Sequence, residues 1–224
     1  MARATAFILA AGLGTRLRPL TDHTPKPLLP IRGRPLLDHV LDHARAHGHR
    51  DVVVNAHWLA PQIVEWARHR PGVTVVVEAA RILGTGGGLK NAAGLLADRF
   101  VVLNGDILCD VDLTALIAVS APAVMALRPR EGRHTAVALR DGRVTGIAGV
   151  VGEGDGAWHF TGVHAMNRDE LARVPDGEAC IVRTVYRALV PEGRVGALVH
   201  DGEWADIGTH EEYERAAQGP SVER

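Results

Sequence analysis

The sequence predicts an α/β fold, with a Rossmann-like, mostly parallel sheet flanked by helices and a partly antiparallel second half. Two observations predict it. In the first hundred residues, short apolar runs alternate with stretches whose apolar residues recur at helical spacing, which indicates βαβ units. After about residue 120 the apolar runs follow one another closely, and Asp141-Gly142 joins two of them as in an antiparallel hairpin.

The first half is predicted to consist of alternating strands and helices. In the helix predicted over 35–48, Pro35 suits the first turn, Val40 and Ala44 share one apolar face, and Gly48 is a common terminator. Strands are predicted over 5–10, 51–55, 73–78 and 100–103, and the other helices over 61–70 and 87–97. This alternation favours a parallel sheet with helices on both faces.

The second half is predicted to be richer in antiparallel strands. Its strands are predicted over 122–127, 135–139, 143–147, 157–166 and 196–200, and its helices over 168–174, 181–189 and 210–217. The simplest interpretation is one domain over residues 1–217, with halves of about 1–120 and 121–217, followed by a flexible tail over 218–224.

Composition excludes several function classes. The chain has 224 residues and a formal net charge of -1, without the basic excess typical of nucleic-acid-binding proteins. No run approaches the ~18 apolar residues of a membrane span. Cys109 and Cys180 have neither a disulfide-framework nor a zinc spacing. We therefore expect a cytoplasmic protein with small-molecule substrates, either a monomer or a small homo-oligomer.

A glycine-rich segment, LAAGLGTRL over 9–17, follows the first predicted strand, where open α/β sheets bind ligands. Glycines let backbone N–H groups approach phosphate oxygens, and an arginine such as Arg16 can bridge two of them. Leu17 stands where a dinucleotide fingerprint needs a small residue, and the chain has no Walker Gly-Lys-Ser/Thr. The segment predicts either a phosphate-binding loop or a tight structural turn.

Lysine is rare, since only Lys26 and Lys90 are lysines among 25 basic residues. Prolines flank Lys26 on both sides and predict a rigid loop that aims one ammonium at a phosphate, the alternative being a solvated lysine. Lys90 ends the run LGTGGGLK and is expected to be solvated. The consecutive glycines 86–88 of that run are poor for packed elements, and predict a backbone surface against which a flat base or ribose lies.

Two aspartates from distant segments follow apolar runs, Asp106 in VLNGD and Asp206 in WADIGT. Both can meet at the carboxyl edge of the sheet. Magnesium takes one or two carboxylates and completes its octahedron with water and substrate phosphates. The pair therefore predicts a Mg²⁺ site, with a helix cap or a turn as the alternative for each aspartate alone.

Together these segments resemble the sugar-1-phosphate nucleotidyltransferase family. The resemblance runs in order through GLGTRLRPLT, PKPL, TGGGL, NGD, FTGV and DIGT, over nearly the whole chain. In length the chain is similar to N-acetylmuramate-1-phosphate uridylyltransferases and compact mannose-1-phosphate guanylyltransferases. The resemblance implies a glycosyltransferase-A-like fold with a nucleotide-binding first half, a sugar-binding second half, and Mg²⁺ as cofactor.

The resemblance also implies roles for matching residues. Lys26 would bridge the α-phosphate and the sugar phosphate, with Arg16 on the phosphates, and these two are the catalytic candidates. Asp106 and Asp206 would hold the metal. The implied nucleotide-binding residues are Leu9, Ala10, Ala11, Gly12, Gly14, Thr15, Gly84 and Asn104. The implied sugar-binding residues are Thr161, Gly162 and Glu178.

The implied reaction condenses a nucleoside triphosphate (NTP) with a sugar-1-phosphate and releases pyrophosphate, with UTP and N-acetylmuramate-1-phosphate as the preferred pair. At two places the sequence departs from the family's pattern, and these departures leave the identity of the base and of the sugar open. Arg81 lies where members often carry an acid, with Glu78 further back, and Arg183 stands in for a lysine of the sugar-binding helix. The alternatives are a mannose-1-phosphate guanylyltransferase, a cytidylyltransferase for a non-sugar phosphate, and a non-catalytic module that senses sugar nucleotides.

Three histidines, His39, His43 and His47, recur every four residues along the helix predicted over 35–48. This spacing permits zinc binding, but no H-E-x-x-H glutamate accompanies them. We therefore expect a solvated helix face and not a metal site.

Overall fold

The computed structural model describes residues 3–132, 134–152 and 154–218. The strands are β1 (Ala4–Leu9), β2 (Pro30–Ile31), β3 (Arg34–Pro35), β4 (Val52–Ala56), β5 (Val73–Val77), β6 (Leu96–Asn104), β7 (Ile107–Cys109), β8 (Ala123–Pro129), β9 (Val137–Arg140), β10 (Arg143–Ile147), β11 (Trp158–Asn167), β12 (Val195–Val199) and β13 (Trp204–Asp206). The α-helices are α1 (Leu36–Ala46), α2 (Ala60–Arg68), α3 (Gly84–Asn91), α4 (Leu113–Ala118), α5 (Arg187–Leu189) and α6 (His210–Gln218).

The main sheet of the described residues has the strand order β5-β4-β1-β6-β11-β8-β12-β10-β9. Strands β5, β4, β1 and β6 are parallel, as the alternating first half predicts. Strand β11 runs antiparallel to both β6 and β8, and β9 and β10 form the hairpin predicted at Asp141-Gly142. The predicted α/β class, mostly parallel first and partly antiparallel later, is confirmed.

Helices cover both faces of the sheet because successive side chains of a strand point to opposite faces. On β1, Ile8 packs in one apolar cluster with side chains of α1, α2 and α4. Its neighbour Phe7 packs in the other cluster, with Leu89 of α3 and Tyr186. A strand that is buried on both faces needs a continuous apolar run, which is the pattern that predicts β1.

The connections around β1 open a crevice. The chain places β4 and β5 on one side of β1 and then returns to place β6 on the other side. At such a reversal, ligands of open α/β sheets bind beyond the carboxyl ends of the strands. The glycine-rich loop after β1 and the segment Asn104-Gly105-Asp106 at the end of β6 therefore face the same crevice.

An antiparallel ribbon of β7 and β13 carries Asp206 to this crevice. Ile107 pairs with Asp206, and the N–H of Ile207 donates to the carbonyl of Asp106 at 2.9 Å. Helix α6 packs Ala216 against Ile207 in a small separate cluster. Asp206 thus reaches the carboxyl edge of the sheet from a ribbon outside it.

The helix predicted over 87–97 is wrong at both ends. Helix α3 begins at Gly84 and ends at Asn91, and β6 already begins at Leu96. The low helix propensity of glycine predicts a later start. Packing overrides that propensity, because a Cβ on Gly87 would collide with the carbonyl oxygen of Gly177.

The remaining predicted elements are present with small differences. The helix predicted over 168–174 is a 3-10 helix, Arg168–Arg173, and the one over 181–189 contains a π-helical turn, Val182–Tyr186, before α5. Of the predicted tail, Gln218 ends α6 and residues 219–224 lie outside the described residues. Within the described ranges, no helix is both long and apolar enough to cross a bilayer.

Candidate active site

A cavity of about 210 Å³ lies in the crevice at the carboxyl ends of β1, β4 and β6. Its lining brings together predicted residues from separate segments of the chain: Leu9, Ala10, Ala11, Gly12, Lys26, Gly84, Asn104 and Asp106. It is completed by residues that the motifs did not single out for a role: Pro27, Asn55, Ile82, Thr85 and Gly105. Segments far apart in the sequence therefore meet at one cleft.

The glycine-rich loop after β1 turns at Gly14, whose φ of 64° lies in the left-handed region. A Cβ at Gly14 would lie 2.9 Å from Cγ2 of Thr21, so both the conformation and the space favour glycine. The Thr21 hydroxyl donates to the Gly14 carbonyl at 2.8 Å and fixes this turn. Gly12 is exposed, and a Cβ there would meet no described atom within 4 Å, which leaves its backbone open to the cavity.

Lys26 begins a 3-10 turn, Lys26–Leu28, and is only 8% exposed. Its Nζ lies 2.5 Å from Oδ2 of Asp106. A buried ammonium needs a charged or hydrogen-bonded partner, and Asp106 provides one. The alternative of a solvated lysine is therefore wrong, and the ammonium lies inside the cleft.

Asp106 and Asp206 lie close enough for their charges to interact. Burial raises the pKa of the Asp206 carboxyl, and the negative charge of Asp106 raises it further, while Lys26 and Arg16 oppose the shift. The carboxylate of Glu212 also acts on Asp206, so three carboxylates face the two cations Lys26 and Arg16 and leave a negative excess that a bound cation would balance. This oxygen donor set fits Mg²⁺. No larger group of metal-binding side chains occurs in the described part of the chain, so phosphates and water would complete the coordination.

Thr15 and Arg16 lie at the rim of the cleft, in an exposed 3-10 turn, Thr15–Leu17. A Cβ on Gly208 would lie 3.1 Å from Nη2 of Arg16, so the guanidinium lies beside the loop after Asp206. The charge of Arg16 also acts on the Asp206 carboxyl. Arg16 therefore joins the same charge cluster from the N-terminal loop, although it does not line the cavity around Lys26.

The consecutive glycines 86–88 do not form the surface predicted for a base. All three are buried in α3, where the N–H of Gly86 donates to the carbonyl of Ala179 at 2.8 Å. A Cβ on Gly88 would lie 2.8 Å from Nδ2 of Asn55. These glycines admit the protein's own backbone and side chains. Of this glycine-rich run, Gly84 lines the cavity.

The predicted sugar-binding residues have different surroundings. Thr161 is fully buried, and its hydroxyl donates to the carbonyl of Ala126 at 2.9 Å. Gly162 has a φ of 84°, and a Cβ there would lie 2.6 Å from Nδ2 of Asn104. Glu178 is exposed. Gly162 thus packs against the side chain of Asn104, and Thr161 binds β8. Contact of Thr161, Gly162 or Glu178 with a sugar stays a prediction.

A second cavity, of about 750 Å³, includes Asp206 in its lining. Trp204 lines it as well and donates its Nε1–H to the carbonyl of Thr161 at 2.9 Å. The guanidinium of Arg128 lies 5.4 Å from the centre of the Trp204 ring. Arg128 and Glu131, 3.5 Å apart as an ion pair, contribute further polar groups. A cavity with an aromatic ring and a few convergent polar groups is typical of small-molecule sites.

Sequence reasoning missed Asn55 as a site residue and treated Glu78 only as a departure. Asn55 ends the apolar run of β4 and Glu78 follows that of β5, and they are 2% and 3% exposed. Asn55 Nδ2 donates to Glu78 Oε1 at 2.7 Å, at the wall of the first cavity. A polar residue at the carboxyl end of a buried parallel strand is the signal that points to both.

The prediction of a solvated face at the three histidines of α1 is wrong, whereas Lys90 lies at the surface with its side chain 34% exposed. His39, His43 and His47 are half-buried, because β7 and residues 110–112 after it lie against this face of α1. Burial, and then the charge of His47, lowers the pKa of His43 to about 4. Lys90 Nζ donates to the carbonyl of Val174 at 2.7 Å and thereby holds a loop of the second half.

Comparisons with known proteins agree with this picture. Residues 6–192 match the family described as the MobA-like NTP transferase domain. An N-acetylmuramate alpha-1-phosphate uridylyltransferase of Neisseria meningitidis is 32% identical over 217 residues, which cover 91% of this chain and 93% of that protein. A mannose-1-phosphate guanylyltransferase of Mycobacterium tuberculosis is 30% identical over 95% of this chain and 63% of its own length.

A solved structure shows the same fold. The crystal structure of HddC from Yersinia pseudotuberculosis, complexed with GMP-PN, matches with a TM-score of 0.79 at 24% identity, over 96% of this chain and 98% of that one. The predicted glycosyltransferase-A-like fold is confirmed, as is the prediction of an enzyme in preference to a non-catalytic sensing module. The chain therefore belongs to the MobA-like NTP transferase family, among the sugar-1-phosphate nucleotidyltransferases.

Proposed function

We propose that this enzyme condenses a nucleoside triphosphate with a sugar-1-phosphate and releases pyrophosphate. One observation carries the proposal: Lys26 Nζ meets Asp106 Oδ2 at 2.5 Å, beside Asp206, in the cleft that the glycine-rich loop lines. Two anionic reactants must come within bonding distance, so the site has to supply positive charge and a place for a cation. This cluster supplies both.

In the proposed reaction, an oxygen of the sugar phosphate attacks the α-phosphorus in line and the bond to pyrophosphate breaks. No protein nucleophile is needed, because the attacking phosphate is itself one, and catalysis comes from orientation and charge. The open backbone at Gly12 would orient the triphosphate. Lys26 would lie between the α-phosphate and the incoming phosphate, and Arg16 would neutralise charge at the rim.

We propose Mg²⁺ as the cation that Asp106 and Asp206 hold. Bound there, the ion would polarise phosphate oxygens and offset their mutual repulsion. Support comes from the donor set, which is two carboxylates without a nitrogen or sulfur ligand, as hard cations prefer. The raised pKa of Asp206, due to burial and to Asp106, indicates a position where added positive charge is favourable.

We place the sugar in the 750 Å³ cavity next to Asp206 and prefer UTP with N-acetylmuramate-1-phosphate as substrates. The lactyl carboxylate of N-acetylmuramate would complement Arg128, which lines that cavity. The relative from Neisseria meningitidis, of which the chain covers 93%, supports this pair. GTP with mannose-1-phosphate is the second candidate, supported by the relative from Mycobacterium tuberculosis, of which the chain spans 63%.

The test is a matrix of ATP, CTP, GTP, UTP and dTTP against N-acetylmuramate-, N-acetylglucosamine-, glucose- and mannose-1-phosphate, read by pyrophosphate release with Mg²⁺ and with EDTA. We expect metal-dependent release with UTP and N-acetylmuramate-1-phosphate above all other pairs. A preference for GTP with mannose-1-phosphate would select the second candidate. Release from a non-sugar phosphate only would contradict the proposal.

Asp106→Asn is the variant that tests the carboxylate itself. Loss of a group that organises charge in the transition state is expected to lower kcat about 10²–10³-fold, with the fold intact. Asp112→Asn is the matched control, because Asp112 caps α4 through a bond from the N–H of Ala115, and asparagine caps equally well. Wild-type turnover in Asp106→Asn would show that the assignment of this carboxylate is wrong.

A further inference from the structure

A buried carboxylate lies behind the wall of the cleft, in contact with Asn55 of that wall, and has no role in the proposed chemistry. Glu78 is 3% exposed, and no described lysine, arginine or histidine side chain forms an ion pair with it. Its Oε1 accepts from Nδ2 of Asn55 at 2.7 Å, and its Oε2 accepts from the N–H of Leu83 at 2.7 Å. A buried charge is tolerated only where donors surround it, so both bonds are needed.

Asn55 extends this contact into a relay. It is 2% exposed, and its Oδ1 accepts from the N–H of Ala10 at 2.7 Å. The relay therefore runs from Ala10 through Asn55 and Glu78 to Leu83, without a break. A Cβ on Gly88 would lie 2.8 Å from both Nδ2 of Asn55 and Oε1 of Glu78, so α3 packs directly on the relay.

The two ends of the relay belong to the two loops that line the cleft. Ala10 begins the glycine-rich loop, and Leu83 precedes Gly84, which starts α3. A Cβ at Gly84 would lie 2.7 Å from the carbonyl oxygen of Ala179, so the turn packs closely against that residue and leaves no space for a side chain. Three hydrogen bonds of 2.7 Å, two of them buried and one part-buried, connect the two loops.

We propose that Asn55 and Glu78 are positioning residues for the nucleoside triphosphate. They hold the glycine-rich loop and the Leu83–Gly84 turn at the spacing that the nucleotide requires, and they touch neither the reacting phosphates nor the sugar. This rests on the proposed function, because it assigns that cleft to the nucleotide. The relay should then control the KM for the triphosphate and leave the KM for the sugar phosphate largely unchanged.

The hydrogen-bond directions allow a charge-conserving test. In Glu78→Gln, an amide replaces the carboxylate that accepts from the Asn55 amide and from the N–H of Leu83. Whichever way the two side-chain amides are oriented, one N–H group then faces another N–H group instead of an acceptor. Asn55→Asp places two carboxylates at the contact that now measures 2.7 Å. In the double variant that combines both substitutions, the new amide at position 78 can donate to the new carboxylate at position 55 and accept from the N–H of Leu83. The new carboxylate also accepts from the N–H of Ala10, so every bond is restored and the total charge equals that of the wild type.

Each single variant is expected to raise the KM for the triphosphate about 10- to 100-fold, the effect of one unsatisfied buried group. The KM for the sugar phosphate should change less than about threefold, and the double variant should return to within about threefold of the wild-type value for the triphosphate. Glu170→Gln is the matched control, since Glu170 is also buried and binds Arg173 and Arg194. It should alter stability but neither KM.

Two results would overturn the proposal. One is a triphosphate KM within about twofold of wild type in both single variants. The other is a double variant whose KM for the triphosphate is no lower than that of the worse single variant. The double variant can still be compared with the wild type if a single variant does not fold. Titration calorimetry with Mg²⁺–UTP and Mg²⁺–GTP measures the same effect without turnover. If the wild type releases no pyrophosphate, the proposed function fails, while a nucleotide dissociation constant still tests the relay.

Discussion

The two lysines of the chain lie in contrasting surroundings. Lys26 is 8% exposed and contacts Asp106, whereas Lys90 binds the carbonyl of Val174 at the surface of the second half. Lysine presents a compact ammonium, and arginine a broad planar fork that keeps the charge but changes the geometry. Arginine therefore cannot occupy the space of the Lys26 ammonium between prolines and a carboxylate 2.5 Å away.

We expect Lys26→Arg to lower kcat about 10²–10³-fold, because the charge remains but its position shifts. Lys90→Arg is the matched control and should keep activity within about twofold. Both variants should unfold cooperatively on heating, which shows that they are folded. Their activity is measured by pyrophosphate release. Equal activity of the two variants would mean that only the charge of Lys26 matters, contrary to this expectation.

Helix α3 is rich in glycine, although the low intrinsic helix propensity of glycine predicts no helix at these positions. Its start is close-packed against the loop that carries Gly177 and Ala179, which belongs to the second half of the chain. The same contact attaches one wall of the cleft to that half, because Gly84 both starts this helix and lines the cavity.

Gly87→Ala is expected to lower the free energy of unfolding by about 1–3 kcal/mol, since the added methyl group collides with the carbonyl of Gly177. Gly94→Ala is the control, because a Cβ there meets no described atom within 4 Å, and it should stay within about 0.5 kcal/mol of the wild type. Urea unfolding measures both. Equal stabilities would show that α3 can move away from the loop at little cost.

Among the elements, strands are predicted best from the sequence where both of their faces are buried. Strands β1, β4 and β6 are recognisable because their apolar runs are continuous, and the hairpin because Asp-Gly favours its turn. The burial of the histidine face of α1 could not be predicted, since β7 and residues 110–112, which lie against it, are distant in the sequence. The relay could not be predicted either, because two of its three hydrogen bonds join residues that are 45 and 23 positions apart.

The site depends on both ends of the molecule. His210 Nε2 contacts the carbonyl of Arg18 at 2.9 Å, and the Tyr213 hydroxyl donates to the carbonyl of Pro30 at 3.0 Å. These contacts attach α6 to the N-terminal loops and bring Asp206 to the glycine-rich loop. The motifs predicted which residues converge, but the ribbon and helix that close the cleft follow only from the assembled fold.

Buried neutral histidines link the stability of the whole molecule to pH. Burial lowers the pKa of His164 to about 3, and burial together with the charges of His134 and Arg128 lowers that of His159 to about 4. Unfolded histidine titrates near 6.5, so between about pH 6.5 and 4 the unfolded chain binds protons that the native chain does not. Stability therefore falls as pH falls through this window.

His159→Phe tests this linkage, because the ring is 2% exposed and stacks on His134 at 4.3 Å, a contact that phenylalanine can keep. The variant should lose less stability on acidification, by up to about 1.4 kcal/mol per pH unit between pH 6 and 5, as one linked proton is removed. Urea unfolding at pH 7.5, 6 and 5 gives the slopes. His69→Phe, at a position where the side chain is 77% exposed, should leave the slope unchanged. Parallel slopes for His159→Phe and wild type would mean that His159 is protonated equally in both states and does not contribute to acid unfolding.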